Sequence, residues 1–198
     1  MSHMIVRDCS AETLTVSAEV YRLILWNVRF PTFPDIPPTV RELQMDSCVV
    51  ADGSPMVLHE GLLSLRIGFQ SCLPTSFPST LESLSLRKIR TETLPPLPVS
   101  LQRISFLRLQ TRTPIVLPAD LNSLTLEECS VSLFPSFPSN MRYLTITECD
   151  GSIPNFPPHL QELSLCDLRL DYLPPIPVSC VAFFEVDVEA EQRGSHLE

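Results

Sequence analysis

Only 5 of the 198 residues are glycine, and they form no cluster that could cradle a phosphate, so nucleotide-binding loops are excluded. No apolar run approaches the ~18 residues of a membrane span, and Met1-Ser2-His3-Met4 has no apolar signal-peptide core. No membrane insertion is expected. Basic residues number 14 against 23 acidic ones, for a net charge of −9. Nucleic acid or an anionic membrane as the general partner would need a basic footprint that this balance does not supply. The seven cysteines show no CxxC or Cys/His spacing, which removes a zinc site, and no cofactor is expected.

Proline, by contrast, is abundant at 20 residues, and every one falls between copies of a short pattern, never inside a copy. The pattern is apolar-x-x-apolar-x-apolar. It reads Leu81-Leu84-Leu86, Leu101-Ile104-Phe106, Leu121-Leu124-Leu126, Met141-Leu144-Ile146 and Leu160-Leu163-Leu165, and less regularly Val20-Leu23-Leu25, Val40-Leu43-Met45, Leu62-Leu65-Ile67 and Val181-Phe184-Val186. The leading positions 20, 40, 62, 81, 101, 121, 141, 160 and 181 recur every 19 to 22 residues, and a fixed period in that range marks a solenoid. Alternation within a copy puts Leu84 and Leu86 on one face of a short strand with Ser83, Ser85 and Arg87 on the other. A stretch such as Leu94-Pro95-Pro96-Leu97-Pro98 can neither donate to a ladder nor enter a helix interior, so it returns extended or as polyproline II. The expectation is one curved parallel sheet, an extended convex side and no α-helix longer than one turn in residues 91–98, 111–118, 131–138 and 170–177.

This pattern resembles the leucine-rich repeat family from about Met4 to Val188. The short period and the Leu-Pro-x-Leu-Pro return are similar to repeats of secreted bacterial effectors of the IpaH and YopM kind. Those repeats carry an asparagine after the strand whose amide satisfies backbone groups in the turn. Here that position holds Val28, Cys48, Gln70, Ile89, Leu109, Cys129, Cys149 and Leu168, so the asparagine ladder is missing. The resemblance implies a leucine-rich repeat solenoid of about nine units acting as a non-enzymatic interaction module.

A single domain over residues 4–191 absorbs the whole pattern; Met1–His3 and residues 194–198 resemble vector-derived ends and are set aside. Cys9, Cys48, Cys129 and Cys149 share the inward turn position, where a small apolar residue packs well. They are expected to be buried and reduced, Cys129 and Cys149 included although adjacent coils bring them within disulfide reach, and this favours an intracellular compartment, cytoplasmic or inside a host cell. Cys166, with His159 and Asp167 nearby in sequence, is the best nucleophile candidate, but His159 belongs to the turn at the opposite strand end, beyond hydrogen-bond reach. No catalytic residue is expected.

The outward strand positions remain. Ile24, Gln44, Arg66, Ser85, Ser105, Thr125, Thr145, Ser164 and Glu185 form a central row, largely of small hydroxyls. Around it Arg66, Arg87, Lys88, Arg103 and Arg108 cluster in the third to fifth units, and Glu127, Glu128, Glu148, Glu162 and Asp167 in the sixth to eighth. Trp26, Phe69 and Tyr143 add exposed aromatics of the type enriched at interface hot spots. This segregation fits either a solvated face that keeps the chain soluble or a bipolar surface docking a protein or peptide, and docking is the expected function. Two rivals are a recognition part of a larger ubiquitin ligase or effector enzyme and an extracellular receptor for glycan or lipid patterns. At the ends, alternating Glu185, Asp187, Glu189 and Glu191 should blunt the last edge. The strand near Met4–Val6 has no comparable charge and is the candidate edge for self-association.

Overall fold

The computed structural model of the chain describes residues 2–69, 73–169 and 172–185. Eleven strands form one sheet: β1 (Ser2–Ser10), β2 (Val20–Phe30), β3 (Glu42–Asp46), β4 (Val49–Val50), β5 (Ser64–Gly68), β6 (Ser83–Arg87), β7 (Arg103–Leu107), β8 (Ser123–Glu127), β9 (Tyr143–Thr147), β10 (Glu162–Cys166) and β11 (Val181–Glu185). The order is β1-β2-β3-β5-β6-β7-β8-β9-β10-β11, with the short β4 pairing β2. All these pairings are parallel, and equivalent repeat positions face one another, as in Leu84↔Ile104↔Leu124↔Leu144↔Leu163. Parallel order follows from coils that repeat one direction of travel.

The five-residue strands β3 and β5–β10 bury their second and fourth positions. In β6, Leu84 and Leu86 are buried while Ser83, Ser85 and Arg87 stay half-exposed. The leading residues Leu81, Leu101, Leu121, Met141 and Leu160 are also buried, and each donates its N–H to a carbonyl three residues back, on Pro78, Pro98, Pro118, Pro138 and Pro157, at 3.1–3.2 Å. Proline suits this position because only its carbonyl is needed and its missing N–H costs nothing. The return segments close the core from the other side with Phe77, Ile115, Phe134 and Phe156; Phe134 stacks on Phe106 with centroids 6.0 Å apart. Burying each of these side chains contributes about 1.5–3 kcal/mol. No α-helix occurs among the described residues, and the convex side carries one 3-10 turn, Val131–Leu133.

Three expectations change at the ends. The ninth unit is shifted: Cys180 donates to Pro177 in the leading-residue turn, and Val181 then pairs with Glu162, Ala182 with Leu163 and Phe183 with Ser164. Val181, expected in the core, is therefore on the outward face and 57% exposed, and Phe183 instead of Glu185 holds the central row at 61% exposure. The pattern misleads here because Val181, Phe184 and Val186 mimic the repeat spacing two residues late. Cys9, expected in the core, is exposed although it pairs with the buried Val28. Among the described residues β1 is flanked by β2 alone, so its other side is uncovered. Ser2 and His3 extend β1 along β2. Asp187, Glu189 and Glu191 lie outside the described residues.

Candidate functional site

The outward face of the sheet carries three rows, one residue per strand. The first holds Arg22, Glu42, Ser64, Ser83, Arg103, Ser123, Tyr143, Glu162 and Val181; the second runs from Ile24 to Phe183; the third holds Trp26, Asp46, Gly68, Arg87, Leu107, Glu127, Thr147 and Cys166. The residue following each third-row position has a left-handed backbone: Asn27, Ser47, Phe69, Lys88, Arg108, Glu128, Glu148 and Asp167 all have φ between 48° and 55°. Side-chain-bearing residues adopt this region at a cost of about 1–2 kcal/mol each. The conformation swings the next residue, such as Ile89, Leu109, Cys129 or Cys149, into the core, while the turning N–H continues the ladder, as from Glu128 to Thr147 at 3.0 Å and Glu148 to Cys166 at 3.0 Å. No sequence signal marked these turns, since only the asparagine and aspartate among them are types that favour such a backbone.

The expected site residues thus divide between floor and rim. Arg66, Arg87, Arg103, Glu127, Trp26 and Tyr143 stand on the sheet floor, whereas Phe69, Lys88, Arg108, Glu128, Glu148 and Asp167 stand on the rim where the chain turns away. Four of the rim residues pair with one another. Arg108 donates to the Glu128 carboxylate, which holds the guanidinium above its ordinary range, and the Lys88 ammonium sits 4.5 Å over the Phe69 ring. Arg108 pairs with Glu128 and is also drawn by Glu148 and Glu127, while among the described residues Arg66, Arg87 and Arg103, and Glu127, Glu148, Glu162 and Asp167 further along the arc, are in no ion pair. The aromatics do not converge. Trp26 and Tyr143 are six strand spacings apart, about 29 Å along the sheet, and Phe183 with Val181 forms an unforeseen apolar end beside Glu162 and Ser164.

Asp46, although in an outward row, is only 1% exposed. Gln44 Nε2 donates to its Oδ2 at 2.7 Å, while Oδ1 has no hydrogen-bond partner among the described residues.

The cysteines act as backbone partners. Cys129 N–H donates to Cys149 Sγ at 3.4 Å, and the two thiols donate to the carbonyls of Glu127 and Thr147, each at 3.2 Å. In part they take the place of the missing asparagine ladder. Burial raises the thiol pKa of Cys48 and Cys129, and that of Cys149 to about 11, so none is a thiolate nucleophile near neutrality. Cys166 is half-buried with Ser164 Oγ at 3.9 Å, and His159 is exposed in its turn. Among the described residues no group of three His, Cys, Asp or Glu side chains could hold a metal, and no helix is long and apolar enough to cross a membrane.

A stacked parallel sheet with proline-rich returns is the architecture of a leucine-rich repeat solenoid. No protein-family model and no curated protein sequence matches the chain. Among solved structures it is similar to YopM from Yersinia enterocolitica WA-314, with a TM-score of 0.56 at 19% identity over 82% of this chain. The chain spans 37% of that protein's length.

Proposed function

We propose that the chain is a non-enzymatic interaction module that docks a protein or peptide on the outward face of its sheet. One observation carries this: among the described residues the floor keeps Arg66, Arg87 and Arg103 in its middle third and Glu127 and Glu162 beyond, none of them in an ion pair, while Arg22 pairs with Glu42 and Arg108 with Glu128. A purely solvated face has no need to sort its charges along the arc. Ten strands spaced about 4.8 Å apart make the face roughly 43 Å long, enough for the ~800 Å² per partner of a standard interface. A partner with an acidic segment followed by a basic one would be held in a single orientation.

The buried free thiols support an intracellular setting. The outer edge of β1, with half-buried Met4 and Val6 and exposed Ile5, is proposed as a contact between two copies of the chain. The test is capture of partners on the intact domain and on Arg87→Glu/Arg103→Glu, with affinity measured for any protein retained. Binding should weaken at least about tenfold and depend on salt, with little change in stability. An unchanged affinity, together with loss of binding on substitution in the return segments, overturns the proposal.

A further inference from the structure

Backbone register gathers three arginines around one small residue on the open sheet face. Arg66 on β5 is the register partner of Ser85, Arg87 stands two residues beyond Ser85 on β6, and Arg103 on β7 pairs with Ser83. The spacing of neighbouring strands, and of alternate residues along a strand, puts their backbones about 5–8 Å from that of Ser85. Between them Ser83, Ser85 and Ser105 make a low floor, half-exposed, each with a hydroxyl that can donate. Arg87 is half-exposed and Arg103 exposed, and on the adjoining rim Lys88 sits over the Phe69 ring. Among the described residues none of these four cations is in an ion pair. The carboxylate on the β3 side, Asp46, is buried: it fills the space over its register partner Gly68, where a Cβ would overlap Oδ1, and accepts from Gln44. Like charges this close repel one another, and an anion settled among them removes that repulsion.

Chemistry narrows the anion. A carboxylate brings one charge and two oxygens, which the forked N–H groups of a single arginine satisfy. A phosphate monoester brings a charge of about −1.5 to −2 at neutral pH and three strong acceptor oxygens, enough for guanidinium groups approaching from three strands. The acidic residues further along the arc then select its source. Glu127 and Glu162 lie two and four strands beyond Ser85, about 10–19 Å away, where they repel a polyanion such as nucleic acid or an anionic membrane and attract a basic segment. An extended peptide covers that distance in about three to six residues. We propose that this patch reads a phosphoserine or phosphothreonine of a docked peptide that carries basic residues about three to six positions away. It rests on the proposed docking surface and names the group that the basic stretch of that surface takes.

The experiment titrates 15N-labelled protein with the peptide Gly-X-Gly-Gly-Gly-Lys-Lys, where X is phosphoserine, serine or glutamate, with the phosphoserine peptide whose lysines are replaced by glutamates, and with inorganic phosphate. The phosphoserine–lysine peptide should shift the amides of Ser85 and Ser105 saturably and bind at least about tenfold tighter than every other probe. Arg87→Gln and Arg103→Gln should each weaken it at least about tenfold, with chemical unfolding unchanged because both side chains reach solvent. Equal affinity for the glutamate peptide or for inorganic phosphate, or no shift at Ser85, overturns the subsite. Retention on phosphatidylinositol-phosphate vesicles without phosphopeptide binding assigns the patch to a membrane and overturns it too. Its failure is separate from that of the docking surface: a partner held on the face with no preference for phosphoserine defeats the subsite alone. A selective patch with the partner bound elsewhere defeats the docking reading and leaves the phosphate chemistry standing.

Discussion

Glu148→Gly should stabilise the fold, although it removes a side chain and adds backbone freedom. Glu148 sits at φ 50° in the turn after β9 and is in none of the ion pairs of the described residues. Relief of the left-handed conformation returns about 1–2 kcal/mol, and the greater freedom of glycine in the unfolded chain takes back about 0.5–1 kcal/mol. The bond from residue 148 N–H to the Cys166 carbonyl, 3.0 Å, survives because it is backbone alone. The net gain is about 0.5–1 kcal/mol, read as a higher urea midpoint at unchanged slope and as roughly 1–4 °C in Tm for a chain of this size. Glu148→Val should go the other way, since a β-branched side chain is the least tolerant of this region. Loss of stability in the glycine variant, or a neutral valine, would refute the claim that the turn is strained.

Leu124→Ala empties a fully enclosed position in β8 and should cost about 2–5 kcal/mol, measured by chemical unfolding. Cys149 ionises near its ordinary value of 9.0 when unfolded but only at about 11 in the fold; the folded state then holds the extra proton, so stability should be full below pH 9 and fall between pH 9 and 11. Cys149→Ala should flatten that alkaline limb in a pH series of melts, and a limb of unchanged depth would count against the buried thiol. Ile5→Lys places a charge on the free edge of β1 and should turn any concentration-dependent dimer into a monomer in sedimentation equilibrium, whereas an unaffected dimer would locate the contact elsewhere.

How much of this could be read beforehand differs from residue to residue. Leu84, Leu124 and Leu163 announce strand, face and register together, because alternation and a 19–22 residue period admit one stacking. The prolines likewise exclude convex helices, and Pro78, Pro98 and Pro157 prove to supply the turn carbonyl as well. The left-handed turns at Phe69, Lys88 and Arg108 were illegible, since the backbone angle is imposed by neighbouring coils and not by local preference. For the same reason Lys88 and Arg108 were expected on the concave face and stand on the rim. Asp46 was illegible too: its burial depends on the missing side chain of Gly68, 22 positions away and adjacent only in the sheet. Val181 misled because one turn is short, a change that no single unit reveals.

The central claim is that the outward sheet face, and not the proline-rich returns, meets the partner. Hydroxyl-radical footprinting of the domain with and without its captured partner measures this on aromatic side chains already placed on both sides. Trp26, Tyr143 and Phe183 lie on the sheet face, and Tyr172 lies exposed in a return segment. The account predicts that the partner lowers oxidation at Trp26 and Tyr143 and leaves Tyr172 unchanged. Protection of Tyr172 with full oxidation at Trp26 and Tyr143 would contradict it.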